Sequence, residues 1–216
     1  MDGEQQPARA DERRPARADR APRQRLDVPT RRAAILDAAM AAFGEAPYPQ
    51  VRVADVAGRA MASPALVFRY FDSKAGLYAA VVQRSADLLL QRQLQADAAL
   101  PPGVPVRDRV RASLEVYLDH IAGHPSAWAN PLVGGEEPTP AVQIRTRLRE
   151  EYVDRLRQLL HLTPWPRHEF ALRGYFGFVD QACLAWVQAG CPADRRHPLI
   201  DAALGALEGA LGDWGS

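Results

Sequence analysis

From residue 30 onward, apolar positions recur at helical spacing along almost the whole chain, and proline or glycine closes each stretch. Over 30–44, Ile35, Leu36, Ala39, Met40 and Phe43 fall on one face, Arg31 and Arg32 point outward, and Thr30 stands where a cap is needed. Gly44, Pro47 and Pro49 end that helix. Residues 53–60 (VADVAGRA) predict a short amphipathic helix, 61–63 (MAS) a tight connection, and 64–71 (PALVFRYF) a second short helix opened by Ser63. Ser73 then caps a long helix over 74–98, with Leu77, Val81 and Leu88 on its buried side. After Pro101, Pro102, Gly103 and Pro105, further helices are expected at about 106–123, 125–132, 139–161, 167–189 and 196–212. No segment alternates with a strand period, no glycine-rich phosphate loop is present and no internal repeat is visible. The pattern is that of an all-α protein.

Two short helices joined by three residues form a helix-turn-helix, whose second helix enters the major groove of DNA. The chain carries 27 Lys and Arg residues, and Lys74 is the one lysine among them. Its place at the start of the following helix sets it beside the phosphate backbone. Within the recognition helix, Pro64 preorganises the first turn, and Ala65 and Leu66 present only methyl groups, suited to thymine methyls and groove shape. Arg69 is the only long polar side chain there; its fork of donors suits guanine O6 and N7 or, alternatively, a phosphate.

Charge adds little to this picture. The formal net charge is +1, with 7 basic and 6 acidic groups over 1–29, 6 and 4 over 30–80, and 14 and 16 over 81–216. Residues 1–29 form an arginine-rich stretch without apolar periodicity and are expected to be disordered, either as a solvated leader or as an arm adding phosphate contacts. A hydrophobic content of 47% supports a sizeable core, and no 18-residue apolar run or signal peptide is seen, so a cytoplasmic, nucleoid-associated protein is expected. Cys183 and Cys191 are too far apart along a continuous helix to bridge each other and are expected to be reduced. His120 and His124 share an i, i+4 spacing, but no glutamate lies between them in a metalloprotease pattern and Pro125 signals a helix end. No serine or cysteine nucleophile has a recognisable partner. Neither an enzyme nor a metal site or cofactor is expected.

Residues 30–82 resemble the DNA-binding region of the tetracycline-repressor-like (TetR/AcrR) family of bacterial regulators. The resemblance rests on Asp55, Val56, Ala57, Ser63, Leu66, Phe68, Tyr70, Phe71, Ser73, Lys74 and Leu77 in the family's order and spacing. Residues 83–216 match only in helix number, length and order. The resemblance implies a helix-turn-helix domain over 30–76 and a helical effector-binding and dimerisation domain over 77–214. It implies a DNA contact set of Arg52, Ser63, Pro64, Ala65, Leu66, Phe68, Arg69, Tyr70 and Lys74, with Lys74 on a phosphate and the Tyr70 hydroxyl either on the backbone or packed against Phe71. Three departures stand out. Met61 replaces the glycine of the left-handed turn, which either keeps its backbone at a cost of about 1 kcal/mol or is rearranged. Arg52 replaces the cap of the preceding helix and adds a phosphate-seeking side chain. Phe68 replaces a common tyrosine, losing a hydroxyl while its ring is expected to stay in the core.

The family's effector cavity implies ligand-lining roles for Tyr117, His120, Trp128, Arg147, Glu151, Phe176 and Asp180, whose aromatic and polar mix suits a medium-sized, partly apolar ligand. Asp180 is the only charged residue over 174–189, and either selects a cationic effector or finds a donor at an interface. Residues 174–189 are apolar nearly all round and 199–211 mix leucines with Ala and Gly, so the last two helices either build a dimer bundle, as the family does, or an intramolecular core. The implied protein is a homodimeric repressor, released from a palindromic DNA operator by a small-molecule effector. The alternative is a ligand-binding helical dimer with a degenerate DNA head.

Overall fold

Asp27 opens the first helix: its carboxylate accepts the Thr30 N–H at 2.8 Å, and Pro29 occupies the first turn, where a missing donor costs nothing. The computed structural model describes residues 27–212, folded into nine α-helices with no strand among the described residues. Helix α1 (Val28–Glu45) therefore starts before Thr30, which lies inside it and is not its cap. Of the expected disordered arm, residues 1–26 lie outside the described residues, whereas Asp27, Val28 and Pro29 are structured parts of α1 and its cap.

Helices α2 (Val53–Arg59) and α3 (Pro64–Phe71) follow. The Ala62 N–H reaches the Ala57 carbonyl at 2.9 Å and the Met61 N–H reaches Gly58 at 3.1 Å, the paired bonds of a Schellman turn. Met61 sits at φ 49° in that turn, with its side chain 87% exposed. Of the two alternatives, the left-handed backbone is the one kept. Val56, Ala57 and Val67, all buried, fix the angle between the two helices, and Met61 accepts the left-handed conformation that this angle requires.

Ser73 caps α4 (Lys74–Ala98) by accepting the Gly76 N–H at 2.9 Å. A Cβ at Gly76 would lie 2.2 Å from the Phe71 carbonyl oxygen, so the α3–α4 joint admits no side chain there. Leu77 is fully buried, and Leu89, not the half-buried Leu88, continues the inward face.

Two cores flank this joint. The first gathers Ile35, Ala39, Phe43, Val56, Val67 and Leu77 and extends to Tyr78 and Val82 of α4 and to the fully buried Ala141. The second holds Leu118, Ile121, Leu172, Cys183, Leu204 and Leu207, all fully buried. It is built from α5 (Val106–Gly123), α7 (Thr139–Leu159), α8 (Pro166–Gln188) and α9 (Arg196–Leu211). A short α6 (Pro125–Ala129) runs into a 3-10 turn over Asn130–Val133. Helix α4 packs on α1 and α3 at one end and on α5 and α7 along its length. Cys183 and Cys191 are free thiols, and burial pushes Cys183 up to about 12. No helix among the described residues is long and apolar enough to cross a membrane.

Replacing Met61 by glycine removes the left-handed penalty at a position whose side chain packs on little. The variant is expected to be more stable by about 0.5–1 kcal/mol, after allowing for the entropy of glycine in the unfolded chain. A lower midpoint in chemical denaturation would show that the Met61 side chain contributes contacts that outweigh backbone strain.

Candidate DNA interface and central cavity

Helix α3 is two-faced because its apolar anchors are four residues apart. Val67 and Phe71 turn inward, and Ser63, Pro64, Ala65, Phe68 and Arg69 are exposed. The Phe68 ring is 43% exposed, contrary to the expectation that it would stay in the core, because one position beyond Val67 lies about 100° further round the helix. Leu66 and Tyr70 are half-buried against the first core. Ser63 accepts the Leu66 N–H at 3.2 Å. Arg69 forms no ion pair or hydrogen bond among the described residues, and Arg52 stands exposed at the start of α2 without capping it.

Lys74 is less exposed than the sequence suggests. Its ammonium donates to the Pro49 carbonyl at 3.2 Å and lies 4.5 Å from the centre of the Tyr48 ring, and burial lowers its pKa. A cation at the positive end of a helix is locally unfavourable, and these two contacts offset that. A phosphate beside the same helix end would be favoured both by the ammonium and by the helix terminus.

Beyond the head, a cavity of about 540 Å³ runs between α4, α5, α7 and α8, from Met40, Phe43 and Tyr48 to Tyr175 and Val179. Tyr117, His120, Trp128, Phe176 and Asp180 line it. The Trp128 indole donates to the Tyr117 hydroxyl at 2.9 Å, and burial raises the pKa of that phenol. Burial also pushes His120 down to about 4, so its ring is neutral at neutral pH, with Nε2 3.3 Å from the Ser85 hydroxyl. His124 is the residue at which α5 ends, so the pair straddles a helix terminus; among the described residues no group of His, Cys, Asp and Glu could hold a metal ion. Asp180 is raised by burial and opposed by Arg149, which donates to it at 2.5 Å and also lies 5.1 Å from the centre of the Phe176 ring.

Arg147 and Glu151 do not line the cavity. Both are exposed and pair with each other at 3.5 Å, and Arg147 also donates to Gln83 of α4, outside the cavity lining. The inward face of α7 is instead Arg145, Leu148, Arg149, Tyr152 and Leu156. The spacing of Leu148, Tyr152 and Leu156 carried that signal, which the alternating Arg and Glu residues of α7 obscured.

One cluster had no sequence signal. The Tyr78 hydroxyl of α4 donates to Glu137 Oε1 at 2.7 Å, and Arg145 Nε lies 3.1 and 3.0 Å from the two carboxylate oxygens. The Glu137 side chain is only 8% exposed, and burial, followed by this carboxylate, pushes the Tyr78 hydroxyl up to about 12. Tyr78 belongs to the first core and also lines the cavity.

Comparison with known proteins places this architecture. Residues 35–81 match the model described as bacterial regulatory proteins, tetR family. An uncharacterized HTH-type transcriptional regulator of Mycobacterium tuberculosis is 31% identical over 178 residues, 82% of this chain and 78% of the relative. The HTH-type transcriptional activator FasR of Mycolicibacterium smegmatis is 33% identical over 125 residues, 56% of this chain and 55% of the relative. The fold is shared with the transcriptional regulator FadR of Bacillus subtilis, solved in complex with stearoyl-CoA, at a TM-score of 0.64 and 16% identity over 83% of this chain and 97% of that one. With the left-handed turn of its helix-turn-helix intact and a relative this similar along most of its length, the chain belongs to the TetR family of transcriptional regulators.

Proposed function

We propose that this regulator is a homodimeric repressor whose two α3 helices read a palindromic operator and whose central cavity binds a small-molecule effector that releases it. The observation that carries the reading is the double placement of Tyr78, in the core that sets α3 and in the wall of the cavity. A ligand that displaces Tyr78 or its partners Glu137 and Arg145 must move the DNA head. It need only prefer the arrangement in which the heads do not fit the operator. In this reading residues 30–76 are the DNA head and 77–214 the effector and dimerisation unit, working in the cytoplasm where the operator is.

On the DNA side, Arg69 reads a base, Ser63, Pro64, Ala65, Leu66 and Phe68 fit the groove, and Arg52, Tyr70 and Lys74 hold the backbone. On the dimer side, Gly174, Gly177, Phe178 and Ala185 of α8 are exposed beside Ala202, Gly205 and Gly209 of α9. Side chains added at these four glycines would meet nothing within 4 Å, which leaves room for close approach of a second pair of helices. The relative FasR is an activator by name, so the sign of regulation is a separate measurement: transcription from the operator-bearing promoter should rise when this protein is removed.

Three outcomes are expected. Lys74→Ala should weaken binding to all DNA sequences about equally and make the log–log salt dependence shallower by about 0.9, one phosphate contact. Unchanged slope and affinity in a salt titration would remove Lys74 from the backbone. Arg69→Ala should cost about 1–3 kcal/mol at one guanine of each half-site and relax discrimination there. A uniform loss across sites would assign Arg69 to phosphate, and no loss would exclude both roles. Glu137→Gln should leave the head folded but loosen its tie to α7, changing effector-induced release more than operator affinity. Identical release curves for variant and wild type would show that the Tyr78–Glu137–Arg145 contact does not transmit the signal.

A further inference from the structure

The charges that line the cavity cancel one another. Arg109 grips Asp97 through two bonds at 2.7 and 2.6 Å, Arg145 grips Glu137, and Arg149 holds Asp180. Arg155 and Glu136, the remaining charged residues of the lining, are exposed and solvated. His120 is a neutral ring and hydrogen-bonds Ser85. Apart from the exposed Arg155 and Glu136, every charge in the lining is already paired, so inside the cavity an anion competes with a carboxylate for its arginine and an ammonium with an arginine for its carboxylate. Glu137 and Asp180, whose side chains are 8% and 16% exposed, are poorly solvated, so losing the arginine partner of either is penalised.

Hydrogen-bond donors, by contrast, are in surplus at the α8 end. Tyr175 lines the cavity at 5% exposure, and its buried hydroxyl has no partner among the described residues. The Tyr117 oxygen takes the Trp128 proton, which leaves the phenolic proton of Tyr117 free to donate. Asp180 accepts from Arg149 through Oδ2, and neither phenol hydrogen-bonds to it. Between these two phenols and the head, the walls are Phe43, Val82, Leu89, Leu114 and Phe176, an apolar path along α4.

We infer that the cavity takes an uncharged, elongated, mainly apolar molecule that carries a hydrogen-bond-accepting oxygen at the end held by Tyr175 and Tyr117, the chemistry of a long-chain ester or ketone. This rests on the reading of the cavity as the effector site, which it narrows to a ligand class. A carboxylate or an amine of the same length is disfavoured by the closed set of ion pairs, and a plain alkane leaves the two phenols unsatisfied.

The test uses the full-length protein and three probes of matched length: methyl dodecanoate, dodecanoate and dodecylammonium, below their aggregation limits. Binding is followed through the change in intrinsic tryptophan fluorescence, to which Trp128 in the cavity wall contributes, and through thermal shift, with Tyr175→Phe as the second protein and operator binding of the free variant as the check that it folds. The ester is expected to bind at least tenfold more tightly than either ion, and Tyr175→Phe to weaken the ester by roughly two- to tenfold, the worth of one neutral hydrogen bond. Equal or tighter binding of either ion overturns the assignment, as does failure of all three to bind. Unchanged ester affinity in Tyr175→Phe overturns the acceptor role of the ligand. Ester binding that leaves operator affinity unaltered supports the ligand class and removes instead the proposal that this cavity controls DNA release.

Discussion

A carboxylate that is almost out of water needs partners, and the partners of Glu137 come from two different helices. Tyr78 reaches it from α4 and Arg145 from α7, so the contact can form only when α7 lies at one register against the DNA head. The fully buried Ala141, one turn before Arg145, demands the same register for a different reason, since a shift would expose it or drive a larger neighbour into the head core. Polar satisfaction and close packing thus impose one answer at the same place. The course of the cavity follows from it, because Leu148, Arg149 and Tyr152 face inward only when α7 is set this way. Removing one partner of a buried ion pair costs far more than the intact pair contributes, which makes this junction either fully formed or lost.

The helices were readable in the sequence because their ends are marked chemically: Ser63 and Ser73 as caps, Pro64 and Pro125 in first turns, and Gly103 and Gly134 in left-handed turns. The cap of α1 was misplaced by three residues because Asp27 and Thr30 are both good caps, and Pro29 decides for the earlier one. The exposed side of α3 was mostly legible, since only Val67 and Phe71 fit the inward spacing, yet the aromatic character of Phe68 outweighed its position. In α7 a stripe of three apolar residues competed with charged residues on every face, and Arg147 and Glu151 were expected in a cavity lining that they do not join. Glu137 lies between helices, where no periodicity operates; only the folded chain brings Tyr78 and Arg145 to it across 59 and 8 positions.

Arginine serves two purposes here, and its partners tell them apart. In the body Arg109, Arg111, Arg145, Arg149, Arg173 and Arg196 are each tied to a carboxylate, several through two bonds, so they act as struts between helices. In the head only Arg59 is tied in this way, to Glu45, whereas Arg52 and Arg69 form no ion pair among the described residues. A chain with a formal net charge of only +1 can therefore still present uncompensated guanidinium groups to DNA. What matters is which cations are already neutralised, a property of the folded surface that a charge count along the sequence does not capture.

The solitary lysine has a chemical consequence as well as an electrostatic one. Every other basic side chain of Lys or Arg type is a guanidinium, so Lys74 is the only primary amine that any side chain offers. Its partial burial lowers its pKa. Amine-directed acylating reagents, whether a fluorophore ester or an enzymatic acetyl donor, have a single side-chain amine as target, and it lies where α3 hands over to α4. Acylation there removes the ammonium from the Pro49 carbonyl and the Tyr48 ring in one step. Covalent chemistry at one atom is thereby coupled to the same aromatic cluster of Tyr48, Tyr78 and Phe43 that roofs the cavity.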